Sequence, residues 1–330
     1  MIKNIKYIIS KDINPYRNLA LEEYLLETVD EETCILYLWQ NKHTVVIGKN
    51  QNPWKECKVK ELERSGGSLA RRLSGGGAVY HDLGNLNFTI LLNKKNYDLN
   101  KQLDIIIKAL KLLNINAVFT GRNDITVDSK KFSGNAFYTK AQNSYHHGTI
   151  LINVDIVNLS KYLNVAQDKL KSKGVKSVKS RVTNLIDYSH DLTIDLMKIK
   201  LIEAFSMVYG LKAEEIEDEF IEENRIVDLY DKFSSWDWKY GRKIEFQHSI
   251  NKRYKWGNID LNLSINEGRI KECIIYSDAM EVDLIEKLSN VLLNCVYSSK
   301  KMIEAIEKLK ETNNEYLDII QEIQSLIEEI

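Results

Sequence analysis

Two arginines run directly into three glycines and a polar turn in Arg71-Arg72-Leu73-Ser74-Gly75-Gly76-Gly77-Ala78-Val79-Tyr80-His81-Asp82. Arginine presents a planar fork of donors that matches phosphate or carboxylate. Consecutive glycines are costly to order, so they belong where backbone must approach something closely or adopt positive φ. The combination reads as a loop holding an anion against bare amides, with a glycine-rich hairpin flanked by exposed arginines as the plainer alternative. Two phosphate loops are excluded by spacing. No Lys-Ser or Lys-Thr follows at P-loop distance, and Tyr80 stands where the third glycine of a dinucleotide fingerprint would fall.

Further polar segments lie downstream: Gly121-Arg122-Asn123-Asp124, Lys130-Lys131-Phe132-Ser133-Gly134-Asn135-Ala136 and His146-His147-Gly148-Thr149. Singly, each has an ordinary explanation. An Asn-Asp pair is commonly a turn or cap, and a Lys-Lys pair a solvated face. Adjacent histidines in a strand send their rings to opposite faces, which argues against a shared metal. Residues 171–184, which include Lys173, Gly174, Ser180 and Arg181, are too polar for a core and read as an exposed loop.

These segments need rigid supports, and the periodicity around them supplies candidates. A first strand is expected over residues 5–9, then a helix capped by Asn14 with Pro15 at its first position and with Leu21, Leu25 and Thr28 on one face. The apolar runs 34–39 and 44–48 suggest two buried strands of one sheet. Another helix opens near Asn52-Pro53 and stops at Gly66-Gly67, and strands at 68–72 and 86–92 bracket the glycine loop. Leu103, Ile106, Ile107, Leu110 and Leu113 mark an amphipathic helix whose plain reading, a core-facing helix, suffices. Strands follow at 117–120 and 125–127, then a helix from the Thr193 cap to Gly210 and a charged helix over 213–233. Beyond residue 234 the period changes. Strands are expected at 244–246, 253–256, 259–264 and 269–276, with a tight turn at Asn266-Glu267-Gly268, before two helices near 281–297 and 300–329.

At 330 residues the chain has room for one large and one small domain. With 44% hydrophobic and 28% charged residues and a net charge of −1, it carries no basic field for nucleic acid. No run approaches the roughly 18 apolar residues of a membrane span, and the N-terminus lacks the apolar core of a signal peptide. Cys34, Cys57, Cys273 and Cys295 are far apart and form no CxxC, which fits a reducing compartment. A cytoplasmic protein is expected.

Taken together, Arg71-Arg72-x-Ser74-Gly75-Gly76-Gly77-Ala78-Val79-Tyr80-His81-Asp82, Gly121-Arg122-Asn123-Asp124, Lys131-Phe132-Ser133-Gly134-Asn135-Ala136 and His146-His147-Gly148-Thr149-Ile150-Leu151 resemble the lipoate-protein ligase A family. Gln51-Asn52-Pro53-Trp54-Lys55-Glu56-Cys57 and the run from Lys173-Gly174 to Ser180-Arg181-Val182-Thr183-Asn184 are similar to it too. These motifs keep one order over about two-thirds of the chain. Trp256-Gly257 and Asn266-Glu267-Gly268 resemble the family's small accessory domain less specifically.

The resemblance implies a mixed α/β, or α+β, architecture: a catalytic domain of the biotin/lipoate ligase type over residues 1–245 and a small α+β accessory domain over 246–330. It implies two steps, in which lipoate and MgATP give lipoyl-AMP and pyrophosphate, and the lipoyl group then passes to a lysine of a lipoyl domain. Expected acceptors are acyltransferase subunits of 2-oxoacid dehydrogenases and the glycine-cleavage H protein. By the same resemblance, Arg72 and the backbone of Gly77, Ala78, Val79 and Tyr80 hold the phosphates, and Lys131 bridges the lipoate carbonyl and α-phosphate. Ser74, Gly75, Gly76 and His81 contact lipoate, with Val79 and His81 walling its tail. Lys173 and Ser180 belong to an adenylate-binding loop. Since Mg²⁺ prefers oxygen ligands and retains waters, Asp124 with Asn123 forms a plausible partial site.

Three rivals share the scaffold. An octanoyl or lipoyl transferase needs a cysteine nucleophile, and only Cys57 lies in a motif region. A biotin ligase has its own arginine-glycine motif, which is absent. A non-catalytic binder of lipoate or nucleotide has no need of a cation such as Lys131 at a reacting bond.

Overall fold

Asn14 and Pro15 set the first helix in the way their types require. Asn14 is extended (φ −79°, ψ 120°), its side chain accepts a hydrogen bond from Tyr16 N, and Pro15 fills a position that needs no N–H partner. The structure, a computed structural model, describes residues 1–120, 123–164, 182–217, 221–241, 246 and 248–328.

The described chain divides into two compact units, Met1–Ile47 with Pro53–Arg72 and Ala78–Lys239, and Gly48–Asn52 with Leu73–Gly77 and Tyr240–Ile330. Strands through the first unit are β1 (Asn4–Ile9), β2 (Thr33–Trp39), β3 (Thr44–Ile47), β4 (Ser68–Arg71), β5 (Val79–His81), β6 (Asn85–Asn93), β7 (Val118–Thr120), β8 (Asp124–Val127), β9 (Lys130–Lys140), β10 (Asn143–Leu151) and β11 (Glu214–Glu215). Its helices are α1 (Pro15–Thr28), α2 (Pro53–Glu56), α3 (Val59–Arg64), α4 (Leu99–Lys111), α5 (Ile156–Tyr162), α6 (Ile194–Tyr209) and α7 (Glu223–Ser234), and α8 (Trp236–Tyr240) ends where the second unit begins.

Among the described residues an eight-stranded mixed sheet runs β11-β1-β2-β6-β10-β9-β8-β7, and a smaller sheet runs β4-β3-β5. The large sheet packs one face on α4 and α6, where Leu86, Phe88 and Ile90 meet Ile106, Leu110, Met197, Leu201 and Phe205. α6 starts at its Thr193 cap and ends at Gly210 in the left-handed region (φ 67°), as its sequence specifies.

Several expectations change. Runs 34–39 and 44–48 are both buried but lie in different sheets, β2 in the large one and β3 in the small one; the connection passes through His43 at φ 43°, which turns the chain out of the first sheet. The helix expected from residue 213 starts only at Glu223, because Glu214 and Glu215 pair with Lys6 and Tyr7 at the sheet edge. The helix after Pro53 is broken into α2 and α3 around Cys57, whose bridge to Leu163 draws it out of helical geometry.

In the second unit β12 (His248–Arg253), β13 (Asn258–Asn266) and β14 (Arg269–Ser277) form a meander, followed by α9 (Val282–Leu292), α10 (Ser299–Glu307) and α11 (Leu317–Glu328). Glu267 (φ 50°) and Gly268 (φ 70°) make the tight turn between β13 and β14. The strand expected at 253–256 is instead a turn closed by Tyr254 N donating to Gly257 O, and the strand ends at Arg253. Of the strand expected at 244–246, residues 244 and 245 lie outside the described residues. The single last helix becomes two, separated where the Asn313 side chain turns back to donate to Leu309 O. Leu261, Leu263, Ile285, Leu288, Ile306 and Ile323 form the core of this unit. No helix of the described residues is long and apolar enough to cross a membrane.

Candidate functional site

Every residue of β6 is buried, yet it alternates apolar with polar: Leu86, Phe88 and Ile90 enter the core, so Asn85, Asn87 and Thr89 face the other side of the sheet. Register places Tyr37 and Trp39 of β2, and Tyr145, His147 and Thr149 of β10, on this second face. α1 crosses it and delivers Glu22, only 1% exposed, which accepts from Thr89 Oγ1 at 2.7 Å and is hydrogen-bonded to His147 Nδ1 at 2.8 Å. Thr89 in turn accepts from Trp39 Nε1 at 3.0 Å. His81 Nε2, Asn85 Oδ1 and Asn87 Nδ2 are buried without a hydrogen-bond partner among the described residues. Buried polar atoms are nearly always satisfied, so the orphans gathered around this face make it a candidate for receiving a polar ligand.

The small sheet contributes Arg72 and His81. Arg72 follows β4, is buried, donates from Nη1 to Val46 O at 3.2 Å, and has its pKa lowered to about 10 by that burial while Tyr145 and Glu22 favour its charge. It therefore keeps its positive charge at neutral pH. His81 on β5 meets Asn41 Nδ2 through Nδ1 at 3.2 Å and stands edge-on to Trp39 at 6.2 Å. Val79 precedes it, half-buried, whereas the Tyr80 side chain turns the other way, 2.9 Å from His43 Nδ1 and stacked on Tyr162. Arg71, the other arginine of the pair, is spent on structure: its Nε and Nη2 donate to Trp238 O and Lys239 O at the end of α8, and Trp238 Nε1 donates back to Arg71 O.

Lys131 owes its aim to a bulge. Asp128 (φ 49°) and Ser129 (φ 62°) turn β8 into β9, and pairing then shifts between Ile125 and Thr126, leaving Phe132 as the extra residue. Phe132 drops into the core, and the Lys131 ammonium swings over Gly134 to within 2.6 Å of Asp124 Oδ1, a contact of charges whose angles are not those of a hydrogen bond. A Cβ at position 134 would meet Lys131 Nζ at 2.9 Å, so a side chain there would push this flexible ammonium aside. A segment far along the chain also holds the backbone of this lysine: Thr183 N donates to Lys131 O at 2.9 Å. Asn123 precedes Asp124 with its Nδ2 donating to Asn135 O. His146 and His147 point to opposite faces of β10, the first bonded to Asn135 and the second to Glu22.

Within the second unit, Ser74 O accepts from Lys49 N and Gly76 N donates to Ala279 O at 3.2 Å. Gly75 has no room for a side chain, since a Cβ would lie 2.2 Å from Ala279 O, and Gly76 has φ 87°. Gly77 has neither constraint, with open space around the Cβ position and no positive φ. Ala78 is half-buried. Gly121, Arg122, Lys173, Ser180 and Arg181 lie outside the described residues.

The Lipoyl protein ligase A/B catalytic domain family matches residues 14–206, and the Bacterial lipoate protein ligase C-terminus family matches residues 243–328. A lipoate-protein ligase A of Psychrobacter cryohalolentis is 41% identical over 327 residues, covering 97% of this chain and 96% of the relative. The chain belongs to the lipoate-protein ligase A family. Among solved structures, P. falciparum LipL1 in complex with lipoate is similar at 34% identity with a TM-score of 0.86, covering 98% of this chain and 99% of that one. A lipoate-protein ligase A bound with ATP is similar at 27% identity and a TM-score of 0.63, covering 73% of this chain and 99% of that one.

In this member of the lipoate-protein ligase A family, the polar sheet face carries residues that the sequence alone did not single out. Glu22, Trp39, Asn87 and Thr89 went unnoticed; of Leu21, Leu25 and Thr28, which share one face of α1, only Leu25 is buried, and Asn18, Glu22 and Glu23 are buried as well. The available signal was the polar series Asn85, Asn87 and Thr89 at alternate positions of a strand whose other residues through Leu92 are apolar.

The same burial predicts an acid sensitivity. Burial, then Arg72, then His147 push the His81 pKa down to about 3, so its ring is neutral in the fold, while in the unfolded chain it takes up a proton near 6.5. Between those values the unfolded state binds the extra proton. Stability is therefore full above about pH 6.5 and falls as pH drops toward 3, by up to about 1.4 kcal/mol per pH unit from this group. Urea unfolding of His81→Gln at pH 7, 6 and 5 should show a flatter decline than the unsubstituted protein; identical slopes would refute this account.

Proposed function

We propose that this chain is an ATP-dependent lipoate-protein ligase, joining lipoate to ATP as lipoyl-AMP with release of pyrophosphate and then passing the lipoyl group to a lysine of a lipoyl domain. A carboxylate is inert toward an amine at neutral pH, and AMP is the leaving group that makes it reactive. The observation carrying the reading is the Lys131 ammonium, aimed by the β9 bulge, in a chain whose family matches cover both ligase domains.

Roles follow from that placement and from the family likeness. Arg72 and the backbone of Gly77, Ala78, Val79 and Tyr80 take the phosphates; Ser74, Gly75, Gly76 and His81 contact lipoate; Lys131 lies between carbonyl and α-phosphate, where its charge offsets the meeting of two anions. Lys173 and Ser180 are assigned to the adenylate. Asp124 offers a carboxylate for a Mg²⁺ carried in by ATP, and Asn123 its side-chain oxygen, the small protein share of ligands that this ion commonly takes. When bound, the ion would neutralise phosphate charge. Residues 1–245 are proposed as the catalytic domain and 246–330 as the accessory domain of a cytoplasmic enzyme. The acceptors are acyltransferase subunits of 2-oxoacid dehydrogenases and the glycine-cleavage H protein.

A transferase of the same fold would carry the acyl group on a thiolate. Burial pushes the thiols of Cys34, Cys57 and Cys273 up to about 12 and raises that of Cys295, so none is activated. The deciding experiment mixes the protein with ATP, lipoate and a purified lipoyl domain. Lipoate-dependent pyrophosphate release and a lipoylated domain are expected; transfer from an acyl carrier without ATP would overturn the reading.

A further inference from the structure

His146 sits on the core side of β10, fully buried between Phe88 (ring centroids 5.3 Å apart, 89°) and Phe137 (5.0 Å, 36°). A phenylalanine would pack there without any polar atom. Instead the ring brings two nitrogens into the core, of which Nε2 lies 2.8 Å from Asn135 Oδ1 and Nδ1 has no hydrogen-bond partner among the described residues. Leaving a buried acceptor unmet is costly, so the ring is retained for the bond that it does make.

That bond leads toward the proposed reaction centre. Asn135 N and Nδ2 both donate to Asn123 O, at 2.9 and 3.1 Å, and Asn123 Nδ2 donates back to Asn135 O at 3.1 Å. With Nδ2 committed to Asn123, the amide oxygen of Asn135 faces His146, and the neutral ring must carry its proton on Nε2. The clasped Asn123 adjoins Asp124, which is paired in register with Gly134 and holds the Lys131 ammonium. The clasp closes β8 onto β9 just beside the bulge that aims Lys131.

We propose that His146 and Asn135 are positioning residues for the ligase reaction: from beneath the sheet they fix Asn123, and through it the Asp124 carboxylate and the resting place of Lys131. This rests on the ligase reading above. Neither side chain touches substrate. Their effect is geometric, and a displacement of about 1 Å at a reacting centre is enough to slow chemistry many-fold.

Glutamine places its amide nitrogen where histidine has Nε2, asparagine imitates Nδ1, and phenylalanine keeps only the packing. His146→Gln should therefore hold kcat for lipoate-dependent pyrophosphate release within about threefold, while His146→Asn and His146→Phe lower it about tenfold with KM for lipoate unchanged. The thermal midpoint of His146→Phe should not fall, and Asn135→Ala combined with it should lose no more than either alone. Wild-type kcat in His146→Phe would overturn the proposal. So would a loss of kcat that follows the thermal midpoint across all three variants, or failure of the Asn and Phe variants to fold, since either makes the role structural. Lys131→Ala in the same assay separates the two levels: if it is slow while His146→Phe is not, the positioning role alone fails, and if it is not slow, the ligase mechanism fails first.

Discussion

Replacing Lys131 by alanine is expected to slow pyrophosphate release by on the order of 10² to 10³, and to slow lipoyl transfer from supplied lipoyl-AMP as well. On the proposed assignment the ammonium lies beside both the carboxylate O–Pα bond formed in the first step and the acyl C–O bond broken in the second, so one charge would serve both transition states. Lys130 provides the control. It is exposed at the start of β9, and Lys130→Ala should be nearly neutral. Both half-reactions should be timed separately on proteins shown to be folded; wild-type rates in both for Lys131→Ala would remove the assignment.

Arg72→Gln should lower pyrophosphate release by about 10² and weaken ATP binding, because a preorganised cation in a site of low dielectric is lost. Its neighbour should behave in the opposite way. Arg71 ties β4 to the carbonyls ending α8, so Arg71→Ala should lower the unfolding midpoint while leaving kcat within a few-fold. Equal kinetic losses from both substitutions would mean that the division of labour between the two arginines is wrong.

Much of this architecture was legible in the residues. Asn14-Pro15 and Thr193 with Gly210 specify helix ends through backbone needs that tertiary context did not override. The loop motifs were legible because glycine runs and arginine pairs have few structural uses. Two kinds of feature were hidden. Sheet membership depends on contacts far apart in sequence, so β2 and β3 looked like neighbours although His43 sends them to different sheets. The β9 bulge was hidden for the same reason, since an extra residue is defined only against a partner strand, and Lys131 could be placed by likeness but not by alternation. Glu22 looked like one acid among several in a charged helix; only its partners Thr89 and His147 give it meaning.

The state of the thiols has a consequence for handling a dithiolane. Lipoate carries a cyclic disulfide, and any nearby thiolate can attack a disulfide sulfur and form a mixed disulfide. A thiol with a pKa near 12 is ionised to only about one part in 10⁵ at neutral pH, and Cys34, Cys57 and Cys273 are all in that range. Cys34 and Cys57 are also sealed from solvent. Thiols held in that state exchange slowly with a bound dithiolane or its reduced dithiol, which favours repeated turnover with lipoate.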